Sequence, residues 1–218
     1  MVTAQQLEQL TSKAREAATE RKFAQSFELL VGLKDIDLKK KELNINEVVF
    51  LPHPPSEQTS VCLFATGDLA VRAKKAGAEG IVEPAELDKL GGDKKLAKKL
   101  ARQYGLFLAD TTLMPRIGRI LGPFLGPRGK MPAPVPANAP LEAMLARYKT
   151  AVRVRSRGQL AVTCKIGDEK MKDSQIAENA MAVLSSVEKK LPSGADNLKR
   201  VGIKLTMSPP AFTSLQEG

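Results

Sequence analysis

Apolar and polar positions alternate with a period of two near both ends of the chain, and this pattern predicts half-buried strands. The first predicted strand covers residues 23–33 and has apolar side chains at Phe27, Leu29, Val31 and Leu33. The last predicted strand alternates in the same way at Val201, Ile203, Leu205 and Met207. Further short strands are expected at 48–51 and 160–166. One face of the first strand should lie on a core, and the other should remain available.

Helical periodicity accompanies the strands at both ends. Thr3 and Gln6 have capping-box spacing at the start of a helix predicted over 3–20. Asp173 is placed to cap a second helix over 174–191. The apolar stripe of that helix is Ile176, Ala180, Val183, Leu184, Val187 and Leu191. The two ends therefore share an α+β pattern.

The middle of the chain has a different pattern, in which runs of three to five apolar residues alternate with helices. Strands are predicted at 61–65, 80–82, 106–109 and 152–155, and helices at 69–76, 84–90, 93–104 and 141–149. This alternation is typical of a parallel α/β sheet. We therefore expect two domains: a discontinuous α+β domain from residues 1–59 and 158–218, and an α/β domain inserted at 60–157.

The charge is concentrated in the predicted insert. The chain of 218 residues carries a formal net charge of +10. Residues 60–157 hold 18 basic and 8 acidic side chains, while the flanking segments are almost neutral. This excess favours a polyanionic partner, most simply nucleic acid. Aromatic residues make up only 4%, so recognition of a folded RNA by shape, phosphate and 2′-hydroxyl contacts is favoured over base stacking.

Residues 114–134 are dense in glycine and proline and carry no acidic side chain, which predicts a shaped cationic loop. Met131 follows Gly129-Lys130, so the loop is not a phosphate-binding P-loop. Residues 126–129 match the Gly-x-x-Gly of KH-type RNA clamps. A rigid structural loop is the other interpretation. Six basic side chains are expected to make secondary RNA or tRNA contacts: Arg116, Arg119, Arg128, Lys130, Arg153 and Arg155. The last two alternate with Arg157, so a strand would place these three arginines on one face.

Few residues suit catalysis or metal binding. His53 is the only histidine and is expected at the surface, and Cys62 and Cys164 are interpreted as buried free thiols in a reducing cytosol. Asp68, Glu83 and Asp110 follow predicted strands and are expected to cap helices or turns. We expect no catalytic residue, metal or cofactor. A nucleotide-handling enzyme and a KH-like single-strand binder remain as alternative functions.

Targeting features are also absent from the pattern. The sequence has neither a secretion signal at its start nor a long apolar run. A cytoplasmic protein without a membrane partner is therefore expected.

Four short motifs resemble one known family. Leu125-Gly126-Pro127-Arg128-Gly129-Lys130-Met131-Pro132 resembles the signature segment of the ribosomal protein L one family, the lateral-stalk proteins of the large subunit, in its archaeal form. Residues 21–28, 64–67 and 206–209 resemble, in order, its first-strand motif, its entry into the inserted domain and its last-strand ending.

This resemblance implies a Rossmann-like insert and binding to folded large-subunit rRNA at the mobile stalk. It implies that the free protein is a monomer, which becomes part of the large ribosomal subunit. It also implies assistance to the exit of deacylated tRNA from the exit site, and repression of the protein's own mRNA. The RNA contacts it implies are Lys22, Phe23, Ser26, Glu28, Thr206, Met207 and Ser208. Ser208 replaces the family's usual glycine, and Ser26 replaces its common threonine.

Overall fold

The computed structural model describes residues 2–37, 45–136, 138–156 and 158–214. The chain divides into two compact units. The first unit combines residues 1–57 with 150–218, and the second unit is the intervening 58–149. Each is described by itself below.

The elements follow one another along the chain in this order. They are α1 (Ala4–Glu16), β1 (Ser26–Leu33), β2 (Asn46–Phe50), β3 (Val61–Phe64), α2 (Gly67–Lys75), β4 (Gly80–Val82), α3 (Pro84–Gly92), α4 (Lys94–Gln103), β5 (Leu106–Asp110), α5 (Met114–Leu125), β6 (Ala133–Val135), α6 (Leu141–Lys149), β7 (Ala151–Arg155), β8 (Ala161–Asp168), α7 (Asp173–Glu188), β9 (Leu198–Leu205) and β10 (Ala211–Ser214). Short 3₁₀ turns span Thr111–Leu113 and Gly194–Asn197.

The first unit is built on an antiparallel sheet with the strand order β10-β9-β1-β8. Helices α1 and α7 pack together and against this sheet. Burial alternates along β1, as predicted: Phe27, Leu29, Val31 and Leu33 lie in the core. The residues between them, Ser26, Glu28, Leu30 and Gly32, lie on the opposite face and are only half-buried. This second face, called the open face below, is available to a partner.

Helix α1 begins at the predicted capping box, in which the Thr3 hydroxyl accepts from the Gln6 amide and the Gln6 side chain accepts from the Thr3 amide. Asp173, predicted as a helix cap, is instead the first residue of α7. Its carboxylate accepts hydrogen bonds from Arg15 at 2.7 and 3.0 Å, which joins α1 to the start of α7. The predicted apolar stripe is buried from Ile176 to Leu191, although α7 ends at Glu188 and Leu191 lies in the turn after it.

The sequence had placed strand β7 in the sheet of the second unit, but the strand lies outside that sheet. It pairs antiparallel with β2, from Asn46 opposite Arg155 to Phe50 opposite Ala151. The second unit therefore ends at residue 149 rather than 157, and the arginines of β7 belong to the first unit. By sequence, residues 58–149 carry 15 basic and 8 acidic side chains, net +7, which leaves net +3 for the first unit.

The second unit contains a parallel sheet with the order β4-β3-β5-β6. Every residue of β3 and β5 is buried, as expected for central parallel strands covered on both faces. Asp93 caps α4 by accepting from the amides of Lys95 and Leu96. Strand β6 had not been predicted, because Pro132 directly precedes it and Pro134 lies inside it.

Residues 114–134 had been predicted to form one continuous loop, but this prediction is wrong. The first half of the segment is the helix α5, which buries Ile117, Leu121 and Leu125 at intervals of four residues. Pro115 lies in the first helical turn, where no amide donor is needed, and Pro123 lies inside the helix. The turn after α5 is closed by hydrogen bonds from Gly129 to the Gly126 carbonyl and from Lys130 to the Leu125 carbonyl. Gly129 has a φ of 67°, so this is a Schellman-type ending.

Among the described residues, no helix is both long and apolar enough to cross a membrane.

Candidate nucleic-acid interface

The start of β1 and the end of β9 lie side by side. Phe27 is opposite Leu205 in the sheet, and the Thr206 amide donates to the Ser26 carbonyl at 3.1 Å. The Thr206 hydroxyl accepts from the Ser26 amide at 3.2 Å and donates to the Ser26 carbonyl at 3.3 Å. The structure therefore brings together two of the predicted motifs that are about 180 residues apart in sequence. Thr206 acts here as a positioning residue, because its hydroxyl is used within the protein.

Gln25 is a further positioning residue that sequence reasoning missed. It is only 2% exposed, and its side-chain oxygen accepts from the Met207 amide at 3.1 Å. Its side-chain nitrogen donates to the Thr19 carbonyl at 3.1 Å, and its own carbonyl accepts from the Glu169 amide at 3.0 Å. The side chain and the backbone carbonyl of this one residue thus join three chain segments. A polar residue just before an alternating strand was the available signal.

Two large apolar side chains remain exposed beside this junction. Phe23 is 52% exposed and Met207 is 56% exposed, and Lys22 is also exposed. Exposed apolar side chains held by a buried hydrogen-bond network favour a contact surface. We call this the junction surface; its members are Lys22, Phe23, Ser26, Glu28, Thr206 and Met207.

Lys204 adds a positive charge beside the junction surface, and it was not among the residues predicted from the sequence. Its ammonium donates to the Thr206 carbonyl at 2.8 Å and lies 3.7 Å from the Glu28 carboxylate. Lys165 is the cross-strand neighbour of Glu28 on its other side. The single acidic side chain of the surface is therefore flanked by two lysines, which lowers its repulsion of a phosphate backbone.

Ser208 is placed differently from the other predicted contacts. It is 6% exposed, and its amide donates to the Leu205 carbonyl at 3.0 Å. Its buried hydroxyl has no hydrogen-bond partner among the described residues. The side chain thus points away from the exposed surface that Met207 forms.

The predicted secondary basic residues do not share one role. Arg116 pairs with Asp88. The Lys130 ammonium donates to the carbonyls of Ala101 at 3.0 Å and Tyr104 at 2.6 Å, so it closes the carboxyl end of α4. Arg119 and Arg128 are exposed.

Arg153 and Arg155 are half-buried on one face of β7, in the first unit. Arg157 lies outside the described residues. Six cations that had been grouped by sequence therefore divide between the two units and between structural and exposed positions.

The carboxyl edge of the parallel sheet, where α/β enzymes place catalytic groups, is used for structure. Asp110 accepts from the Thr66 hydroxyl at 2.8 Å and the Thr112 amide at 3.0 Å. Burial alone raises the pKa of this carboxyl, but the hydrogen bonds from Thr112 and Thr66 outweigh it and lower the pKa. Among the described residues no cluster of histidine, cysteine and acidic side chains could hold a metal ion.

His53 also has a structural role. Its imidazole lies 2.6 Å from the Glu178 carboxylate, and its amide donates to the buried Asn179 at 2.9 Å. The sequence had predicted a surface position for His53. In the structure the residue is half-buried against α7.

Comparison with known proteins places the chain in a family. The family model described as "Ribosomal protein L1p/L10e family" matches residues 13–209. A "Large ribosomal subunit protein uL1" from Cenarchaeum symbiosum is 47% identical over 95% of both chains. The protein of that name from Thermofilum pendens is 45% identical over 98% of this chain and 95% of its own length. The chain therefore belongs to the Ribosomal protein L1p/L10e family in its archaeal form, a family of structural and not enzymatic ribosomal proteins.

Proposed function

We propose that this chain binds folded large-subunit rRNA at the mobile lateral stalk through its junction surface, as a structural constituent of the large ribosomal subunit. The observation that carries the proposal is the exposure of Phe23 and Met207 on a backbone fixed by Thr206 and Gln25. A rigid, apolar and weakly basic surface packs on ribose and base edges, and its exposed backbone groups reach 2′-hydroxyls.

The charge distribution supports a division of tasks between the units. The first unit carries net +3 and the junction surface. The second unit carries net +7, and the large apolar side chains exposed among its described residues, Val71 and Leu96, lie on two different helices. We propose that the first unit recognises RNA shape. The second unit attracts RNA over a longer range and contacts exit-site tRNA or further rRNA, through exposed cations such as Arg119 and Arg128.

Two finer roles follow from the same surface. An mRNA that folds like the rRNA site would compete for it, so the protein would repress translation of its own message while rRNA is scarce. Movement of the stalk with the bound protein would assist the exit of deacylated tRNA. Both roles belong to a monomer in the cytoplasm that joins the subunit.

The test is equilibrium binding of the full chain to its own large-subunit rRNA, with the double variant Phe23→Ala and Met207→Ala. We expect a loss of affinity of at least about tenfold, since these are the two large apolar side chains that the surface exposes. Leu96→Ala is the matched control, because Leu96 is 47% exposed but lies on α4 in the second unit. Unchanged binding by a folded double variant would contradict the proposal.

Further binding measurements test the repressor role and separate the alternative functions. If the chain represses its own mRNA through this surface, the leader of that mRNA should compete with rRNA and lose affinity in parallel. Magnesium-dependent binding of nucleotides with no affinity for structured rRNA would instead support a nucleotide-handling protein. A preference for single-stranded RNA would support a KH-like regulator.

A further inference from the structure

The open face carries a second feature, away from the junction surface. Phe212 on β10 is 44% exposed and lies opposite Gly202 on β9, which in turn lies opposite Leu30 on β1. The junction surface extends along β1 from Ser26 to Glu28, and Glu28 lies opposite Lys204, one pair of open-face positions before Leu30 and Gly202. The strand register therefore places Phe212 on one continuous face with the junction surface.

The sheet is shaped to hold the Phe212 ring close. A Cβ atom on Gly202 would come within 2.5 Å of ring carbon Cδ1, so only glycine allows the ring to rest there. The guanidinium carbon of Arg200 lies 4.6 Å from the ring centroid, in a cation–π contact. The Arg200 side chain itself crosses Gly32, where a Cβ would come within 2.9 Å of its Cγ. Two glycines thus hold an aromatic ring and a guanidinium against the sheet while both remain exposed.

The charges of this face favour an RNA occupant. Its strands carry Arg200, Lys204 and Lys165. Glu28 lies beside both lysines, and the exposed Glu57, which is outside these strands, lies 4.0 Å from Lys165. Asp168 is buried and holds the Ser56 amide at 2.6 Å. An exposed aromatic ring stacked with a guanidinium, on an antiparallel sheet with helices on its other face, is an arrangement that takes up an unpaired base.

We propose that the Phe212–Arg200 pair binds one unpaired nucleotide of the same RNA that contacts the junction surface. The base stacks on the ring or on the outer face of the guanidinium, and Arg200 faces its phosphate. The pair thus adds recognition of an unpaired nucleotide to the recognition of a folded RNA. This inference rests on the proposed function, because it extends that surface along the sheet.

The test is binding of the full chain to its own large-subunit rRNA with Phe212→Leu and, separately, Arg200→Gln. Loss of one stacked base predicts a decrease in affinity of roughly 5- to 150-fold for F212L. F212L should leave the dependence of log affinity on log salt unchanged. R200Q should reduce its slope by about 0.7, the value for one phosphate contact on a single strand.

A control and an independent measurement keep the result interpretable. Lys189→Gln removes one exposed cation at the end of α7, a helix on the opposite side of the sheet, and should not change affinity. A photoreactive phenylalanine analogue at position 212 should cross-link to an unpaired nucleotide. If wild-type chain binds and F23A/M207A does not, but F212L and R200Q both bind as wild type, this inference is overturned and the proposed function stands. If wild-type chain does not bind the rRNA, both are overturned.

Discussion

Thr206 and Met207 are neighbours in sequence with separable roles. The Thr206 hydroxyl makes two hydrogen bonds to the Ser26 backbone, whereas the Met207 side chain is exposed. Thr206→Val keeps the shape but loses both bonds, so it should lower the free energy of unfolding by about 1–2 kcal/mol. Met207→Ala should change it by less than about 0.5 kcal/mol. Urea denaturation measures the difference, and equal destabilisation by the two variants would disprove this assignment of roles.

Burial raises the pKa of both thiols, Cys62 and Cys164, to about 12, with smaller contributions from Glu86 and Glu28 respectively. An unfolded thiol ionises near its ordinary pKa of about 8.5. Above that pH the unfolded chain binds fewer protons than the folded chain, so stability should fall as pH rises towards 12. The slope should reach about 1.4 kcal/mol per pH unit for each thiol. Denaturation midpoints between about pH 8 and 11 measure it, and the slope should be shallower in a Cys62→Ala, Cys164→Ala variant.

At the scale of elements, α5 shows where sequence reasoning failed. The glycines and prolines of 114–134 outweighed the apolar spacing of Ile117, Leu121 and Leu125, which marks a helix. Pro115 is compatible with a first turn, and tertiary burial compensates the hydrogen bond that Pro123 removes. The alternation of β1 and the stripe of α7 were predictable because each buries one regular face. The side-chain contacts of Gln25 and Lys204 were not, since they join segments far apart in sequence.

Two glycines of the α5 segment should respond to alanine in opposite directions. Gly129 has a φ of 67° in the turn that ends the helix, so Gly129→Ala should lower the free energy of unfolding by about 1 kcal/mol or more. Gly118 is exposed within the helix, with no atom within 4 Å of a Cβ placed there. Gly118→Ala should raise stability by about 0.5–1 kcal/mol. Thermal unfolding of both variants tests this, and destabilisation by Gly118→Ala would show that residue 118 does not lie at an exposed helical position.

At the scale of the whole molecule, the position of β7 in the first unit changes the net charge of both units. The unit that carries the junction surface is basic at net +3, so the contrast with the second unit is smaller than the sequence boundaries implied. Under the proposed function, long-range attraction of RNA still depends mainly on the second unit, at net +7. Its helix α4 exposes Lys95, Lys98, Lys99 and Arg102. Attraction by the second unit should therefore affect the association rate constant for RNA, and contact through the junction surface should affect the dissociation rate constant.

Replacing these four side chains with glutamine lowers the charge of the second unit from +7 to +3 without touching the junction surface. At low salt the association rate constant for rRNA should fall, by about three- to tenfold, because steering depends on summed charge. At about 1 M salt the difference should vanish, since the attraction is screened within about 3 Å. The dissociation rate constant should not change if α4 acts only at a distance. Lys98→Arg with Lys99→Arg, which keeps the charge, should associate like wild type, and a faster dissociation of the glutamine variant would show that α4 contacts RNA directly.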